Sequence, residues 1–179
     1  MNTLQKAQDD IFAFLKSNEK CMLITGTHQF KKHILVMASL EQEYENARIL
    51  FRTNLMGNLL NRNFLGRFIK KPPKAGEAFQ IENNIYYADS FTNRGTWAKV
   101  RNIDFAIIYP IDAMTRGSVS TECIDDLIEY QDIKKIFLVS WTDTSKEYSV
   151  FSKYIDAHTI YDAEEEDIDY HKRVLELND

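Results

Sequence analysis

The chain has 179 residues, with 44% hydrophobic and 27% charged residues and a formal net charge of -5. That is ordinary for a globular protein and long enough to bury a core without staples, and it fits one domain over 1–179. The two cysteines, Cys21 and Cys123, lie far apart and show no zinc-type spacing, and no apolar run approaches the roughly 20 residues of a bilayer span. With a polar start (Met1 to Gln5) and no signal-peptide core, the expectation is a cytoplasmic protein with no membrane attachment.

Taken in chain order, apolar residues at Leu4, Ala7, Ile11, Phe14 and Leu15 predict a first helix over 4–17. Cys21 to Thr25 reads as a strand and 31–44 as a helix. Ala47 to Thr53 reads as a second strand, followed by a helix at about 55–65. Lys70-Lys71-Pro72-Pro73-Lys74 breaks regular structure, because proline lacks an amide donor. Runs at 78–81 and 85–88 flank Asn83-Asn84 and suggest a hairpin, or one strand only. A short helix is expected over 94–101, strong strands over 103–109 and 135–141, and helices over 122–131 and 145–155. A short strand at 157–161 then leads to an acidic cluster (Asp162, Glu164, Glu165, Glu166, Asp167) that opens a last helix. Strands alternating with helices, two of them continuously apolar, predict an α/β three-layer sandwich with a mostly parallel sheet.

The stretch from Cys21 to His33 has the frame of a phosphate-binding loop. An intact loop reads G-x-x-x-x-G-K-[ST] between a strand and a helix. Gly26 fits the first glycine and Lys32 the lysine, whereas Lys31 replaces the second glycine and His33 the Mg²⁺-binding hydroxyl. Amides at a helix start favour phosphate without metal, so Gly26, Thr27, Lys31 and Lys32 are the phosphate-binding candidates. A strand-to-helix turn with two solvated lysines is the alternative.

Charge is unevenly distributed. Residues 1–76 hold 12 Lys/Arg against 6 Asp/Glu, a balance of +6, and residues 77–179 hold 10 against 21, a balance of -11. Within the basic half, Arg62, Arg67, Lys70, Lys71 and Lys74 are the nucleic-acid candidates, interleaved with Phe64 and Phe68; a second, scattered set is Arg94, Lys99 and Arg101. A solvated surface over a buried phenylalanine stripe is the competing reading.

With these motifs in order, the chain resembles the first RecA-like domain of DEAD/DEAH-type helicases and related P-loop ATPases. Leu-Ile-Thr-Gly-Thr (23–27) is similar to the loop strand. Arg-Ile-Leu-Phe-Arg-Thr-Asn (48–54) is similar to the strand that carries nucleic-acid contacts at its end. Residues 103–112 are similar to the strand ending in the metal-binding acidic motif, and 135–142 to the strand ending in the Ser/Thr motif. The resemblance implies a RecA-like P-loop architecture. On that alignment Tyr109 and Pro110 stand where an Asp-Glu pair would hold Mg²⁺ and orient water, and neither side chain can do so. A second RecA-like domain, the source of an arginine finger, does not fit in the chain.

The resemblance therefore implies a degenerate P-loop protein, a binding or regulatory subunit in nucleic-acid metabolism without robust ATPase activity. No cofactor is required and no catalytic residue is assigned; ATP or another phosphate would be a weak ligand. Its partner would be nucleic acid through the basic half, or a protein. Two alternatives stay open. One is an active NTPase with Lys32 on phosphates and Asp112 on metal. The other is a metal-dependent nuclease drawing on Asp104, Asp112, Glu122, Asp125 and Asp126, although no spacing selects a set. No metal site is assigned, and His28 and His33 are the one histidine pair close in sequence.

Overall fold

The computed structural model describes residues 1–115, 117, 119–142 and 145–177. Seven strands form one sheet in the order β3-β4-β2-β5-β6-β1-β7. They are β1 (Cys21–Thr25), β2 (Arg48–Thr53), β3 (Phe79–Ile81), β4 (Asn84–Ser90), β5 (Phe105–Ile108), β6 (Lys135–Val139) and β7 (Ala157–Ile160). All neighbours run parallel except the β3–β4 hairpin. The helices are α1 (Leu4–Lys16), α2 (Lys32–Glu43), the short α3 (Asp112–Thr115), α4 (Glu122–Tyr130) and α5 (Ile168–Glu176). The fold is thus the α/β, mostly parallel architecture that the alternation predicts.

Every residue of β1, β5 and β6 is buried, which is why those runs are apolar on both faces. The two-residue period of a strand sends their side chains alternately into two cores. Met22, Ile24, Ile107, Phe137 and Val139 join Ala7, Ile11 and Phe14 of α1 and Val36 and Leu40 of α2. Leu23, Ala106, Ile108, Ile136 and Leu138 join Cys123, Ile124 and Leu127 of α4 on the opposite face. Both cysteines are free and buried, and burial pushes their thiol pKa values up to about 12.

Some predicted elements differ in kind. The helix expected at 55–65 is a 3₁₀ helix over Met56–Leu60 followed by turns. Its core contribution comes from Leu59, Phe64 and Leu65, which are not spaced for one α-helical stripe. The helix expected at 145–155 is a 3₁₀ helix over Ser145–Phe151. Thr121 holds the N-cap position of α4 without a side-chain cap bond. The acidic cluster precedes α5 rather than filling its first turn; Asp167 caps that helix by accepting from the Tyr170 amide. Among the described residues, no helix is long and apolar enough to cross a membrane.

Candidate functional site

Strand order puts the C-terminal ends of β7, β1, β6 and β5 side by side, where open α/β sheets hold ligands. The turn after β1 begins at Gly26, whose φ is +116°. A Cβ there would lie 2.2 Å from the Tyr161 carbonyl oxygen after β7, so only glycine fits. The following helix, α2, starts without a side-chain cap, with Lys31 at the N-cap position.

The two candidate lysines part company. Lys32 is fully buried, and its ammonium donates to the Gly26 carbonyl and, at 3.1 Å, to the Trp141 carbonyl after β6. It thereby ties the loop to the neighbouring strand end. Lys31 is half exposed and pairs with Glu166. Thr27 is buried: its amide donates to Asp162 Oδ1 at 2.9 Å, and its hydroxyl accepts from the Ala163 amide and meets His171 Nδ1 at 2.7 Å. The candidates Gly26, Thr27, Lys31 and Lys32 do converge, and the C-terminal segment lies over them.

His28 Nε2 lies 3.2 Å from Glu166 Oε2, and the ring packs 4.8 Å from that of Tyr161. Burial lowers the His28 pKa, and Glu166 opposes that effect. Partial burial raises the Glu166 carboxyl, but Lys31, the Tyr161 hydroxyl and His28 outweigh it and hold the group at about 2. His28 and His33 do not form a pair, because His33 turns into the core. There Nε2 donates to the Phe64 carbonyl at 3.1 Å and the ring stacks on Tyr109. Burial drops the His33 pKa to about 4, so the ring is neutral at pH 7. Tyr109 hangs its hydroxyl 3.4 Å from the Gln29 and Asn63 carbonyls, and burial raises its pKa. The Tyr109–Pro110 bond is cis.

Asp112 is committed elsewhere than a metal. It accepts from the Trp141 amide at 2.5 Å, the Thr142 amide at 3.0 Å and hydroxyl at 2.6 Å, and the Tyr148 hydroxyl at 3.2 Å. The other carboxylates considered for a nuclease are dispersed. Asp104 caps the Arg48 amide and pairs with Lys134, Glu122 pairs with Arg94, Asp125 binds the Tyr154 hydroxyl, and Asp126 reaches Arg52. Among the described residues, no three His, Cys, Asp or Glu side chains gather as a metal would need.

Arg62, Arg67, Lys70, Lys71 and Lys74 are all exposed on the irregular segment between the 3₁₀ helix and β3. Among the described residues, none of the five side chains forms an ion pair, although the Lys74 amide donates to Glu77 Oε2 at 3.1 Å. The two phenylalanines divide: Phe64 is buried at 2% exposure, and Phe68 stands at 39%. Arg94 is exposed against Glu122 and Trp97, and Arg101 is exposed.

Sequence reasoning missed two features. Asp162, Glu166, Tyr170 and His171 contact the loop from more than 130 positions away. Arg52 and Asp89, adjacent in register on β2 and β4, form a fully buried ion pair. A charged residue directly after the apolar run of each strand, Ile49 to Phe51 in β2 and Ile85 to Ala88 in β4, was the available signal for that pair.

No family model matches the sequence, and no curated protein matches it. The fold is similar to that of the large terminase from a thermophilic bacteriophage. The complex of that protein with ADP superposes with a TM-score of 0.56 at 12% identity, over 96% of this chain and 48% of the terminase chain. The complex with ATP-γ-S gives 0.52 at 10% identity, over 93% and 45%. This chain therefore spans about half the terminase chain. The likeness is one of fold: an α/β architecture around a mostly parallel sheet.

Proposed function

We propose that this chain is a P-loop-type domain that has lost metal-dependent hydrolysis and serves as a binding or regulatory subunit in nucleic-acid metabolism. The observation that carries the reading is the His33–Tyr109 stack, 4.1 Å between ring centroids. It joins the two positions where the family resemblance expects a Mg²⁺-binding hydroxyl and carboxylate. A buried neutral imidazole on a buried phenol gives a hard cation no oxygen ligand set. Asp112 compensates poorly, because its oxygens hold the turn after β6. The fold's likeness to a terminase solved with ADP and with ATP-γ-S supports a nucleotide-binding ancestry. The exposed run Arg62 to Lys74 supports backbone contacts to nucleic acid, a sequence-independent electrostatic interaction.

ATP binding, ATP turnover and DNA/RNA binding by the purified protein, measured in parallel, test the proposal. The expected result is nucleic-acid binding with very slow turnover that Mg²⁺ barely changes. Robust Mg²⁺-dependent turnover that disappears in folded Lys32→Ala or Asp112→Ala protein would overturn it in favour of an active NTPase. Metal-dependent strand cleavage would overturn it in favour of a nuclease.

A further inference from the structure

The segment from Asp162 to His171 takes several of the loop's donors, as a bound anion would, while the His28 amide and the Lys32 ammonium bond to backbone carbonyls. Asp162 takes the Thr27 amide, Glu166 takes the Lys31 ammonium and His28, and the Tyr170 hydroxyl takes the Gln29 amide at 3.4 Å. Tyr170 also donates to Gln29 Oε1 at 2.9 Å. Two carboxylates and a phenol thus engage donors of the loop.

The attachment is mainly polar, with Ala163 and Val174 as its buried apolar residues. In α5 only Val174 is buried, while Ile168 and Leu175 are 45% and 42% exposed. Partly solvated ion pairs contribute little each and weaken with salt. The Lys31–Glu166 contact is such a pair, and α5, with one buried apolar side chain, belongs to the low-stability end of a structure. A groove of about 420 Å³, lined by Leu4, Lys31, Ile34, Leu35, Tyr161 and Glu166 among others, gives a solute access to the Lys31–Glu166 contact.

We propose that residues 162–171 form an intramolecular anion that closes the loop, and that a polyphosphate opens it by competing for the same donors. This rests on the reading of Gly26 to Lys32 as a retained anion loop. A phosphate chain matches the site because it offers several oxygens to amides and an ammonium at once, as the two carboxylates do. Its source is a nucleoside triphosphate or an inorganic polyphosphate, which share that chemistry. In the closed form the loop is silent; in the open form α5 is released, which couples an anion to a surface change.

The test titrates the full chain with inorganic tripolyphosphate and, separately, with ATP, following binding by calorimetry and amide hydrogen exchange at Asp162 and Ala163. Those amides bond across to the Asn2 carbonyl and the Thr27 hydroxyl. Exchange there should rise at least tenfold at saturation. Asp162→Asn/Glu166→Gln, which keeps shape and removes charge, should bind at least tenfold more tightly. Equal effects of the two ligands identify the phosphate chain as the ligand; a much tighter ATP adds the nucleoside, and both outcomes support the latch. Unchanged exchange at Asp162 and Ala163, with or without binding, overturns it, including the case where the double variant gains affinity by electrostatics alone. Binding that disappears in Lys70→Ala/Lys71→Ala, with exchange unmoved, places the anion on the basic face and also overturns it. Nucleic-acid binding that survives those failures leaves the proposed function standing without the latch.

Discussion

The imidazole of His33 lies on the phenol ring of Tyr109, with centroids 4.1 Å apart and planes inclined by 21°. One residue lies in the first turn of α2 and the other follows β5, so the stack pins the loop helix to the C-terminal end of the central strand, two strands from β1. Phe51 and Phe64 pack edge-on around Tyr109, at 6.2 and 5.1 Å between centroids. Where the resemblance expects a hydrated metal, the chain has an aromatic cluster.

That cluster makes the protein sensitive to acid. His33 has a folded pKa of about 4 against 6.5 unfolded, because its buried form resists charge. The unfolded chain therefore binds the proton first as pH falls, and stability is lost between about 6.5 and about 4, levelling off below that. Each tenfold difference in proton affinity between the two states is worth ~1.4 kcal/mol, so the loss approaches ~3 kcal/mol. Urea denaturation at a series of pH values should show this slope. His33→Phe should flatten it, while costing about 1–3 kcal/mol at pH 7 because the Phe64 carbonyl loses its donor. An equally steep slope in His33→Phe would assign the acid sensitivity to other groups.

Central strands should tolerate truncation badly. Ile107 and Phe137 are fully buried neighbours in register on β5 and β6. Ile107→Ala should cost about 2–5 kcal/mol and Phe137→Ala about 3–5 kcal/mol, by lost transfer energy and the cavity left behind. Thermal and chemical denaturation measure both. Losses below about 1 kcal/mol at both sites would contradict the doubly covered centre.

The buried pair on the other core face predicts an asymmetry. Arg52 is fully buried, held by both oxygens of Asp89 at 2.8 and 2.7 Å, by Asp126 at 3.2 Å and by the Cys123 carbonyl at 2.7 Å. Its guanidinium also lies 5.1 Å from the Trp97 ring centre. Asp89→Ala leaves a guanidinium without its main partner and should cost about 3–5 kcal/mol. Asp126, which is partly exposed and touches one nitrogen, should cost much less as Asp126→Ala. Equal losses in denaturation experiments would mean that the two carboxylates share the charge evenly.

The parts legible in the sequence were those set by local pattern. The β1 run Cys21 to Thr25, the apolar stretches of β5 and β6, and a hairpin turn, which falls at Glu82-Asn83 rather than Asn83-Asn84, carry periods and turn chemistry that few alternatives share. Gly26 and Lys32 were legible as a spacing. What escaped depends on contacts across the whole chain. Nothing near Asp162 or Glu166 says that they will face Thr27 and Lys31, because parallel strands β1 and β7 bring them together through long crossovers. The segment 55–65 misled because Leu55 and Leu60 look like a helical stripe and are in fact 57% and 42% exposed, while Leu59 and Phe64 enter the core.

The exposed basic run supplies the last prediction. Arg62, Arg67, Lys70, Lys71 and Lys74 sit on one connection, their charged groups in no ion pair among the described residues, and a charged side chain left solvated costs the fold little to change. Contacts from such side chains release counterions from a phosphate backbone, so affinity should fall steeply with salt and depend little on sequence. Each duplex phosphate contact contributes about 0.9 to the slope of log affinity against log salt. Lys70→Glu/Lys71→Glu should therefore lower that slope by roughly 2 for duplex, weaken binding at low salt, and leave the denaturation midpoint unchanged. Fluorescence anisotropy with single- and double-stranded DNA and RNA at several salt concentrations reads the first two, and urea denaturation reads the third. No binding by the unmodified protein at low ionic strength would remove nucleic acid as the partner and leave a protein with an acidic surface as the better match to this face.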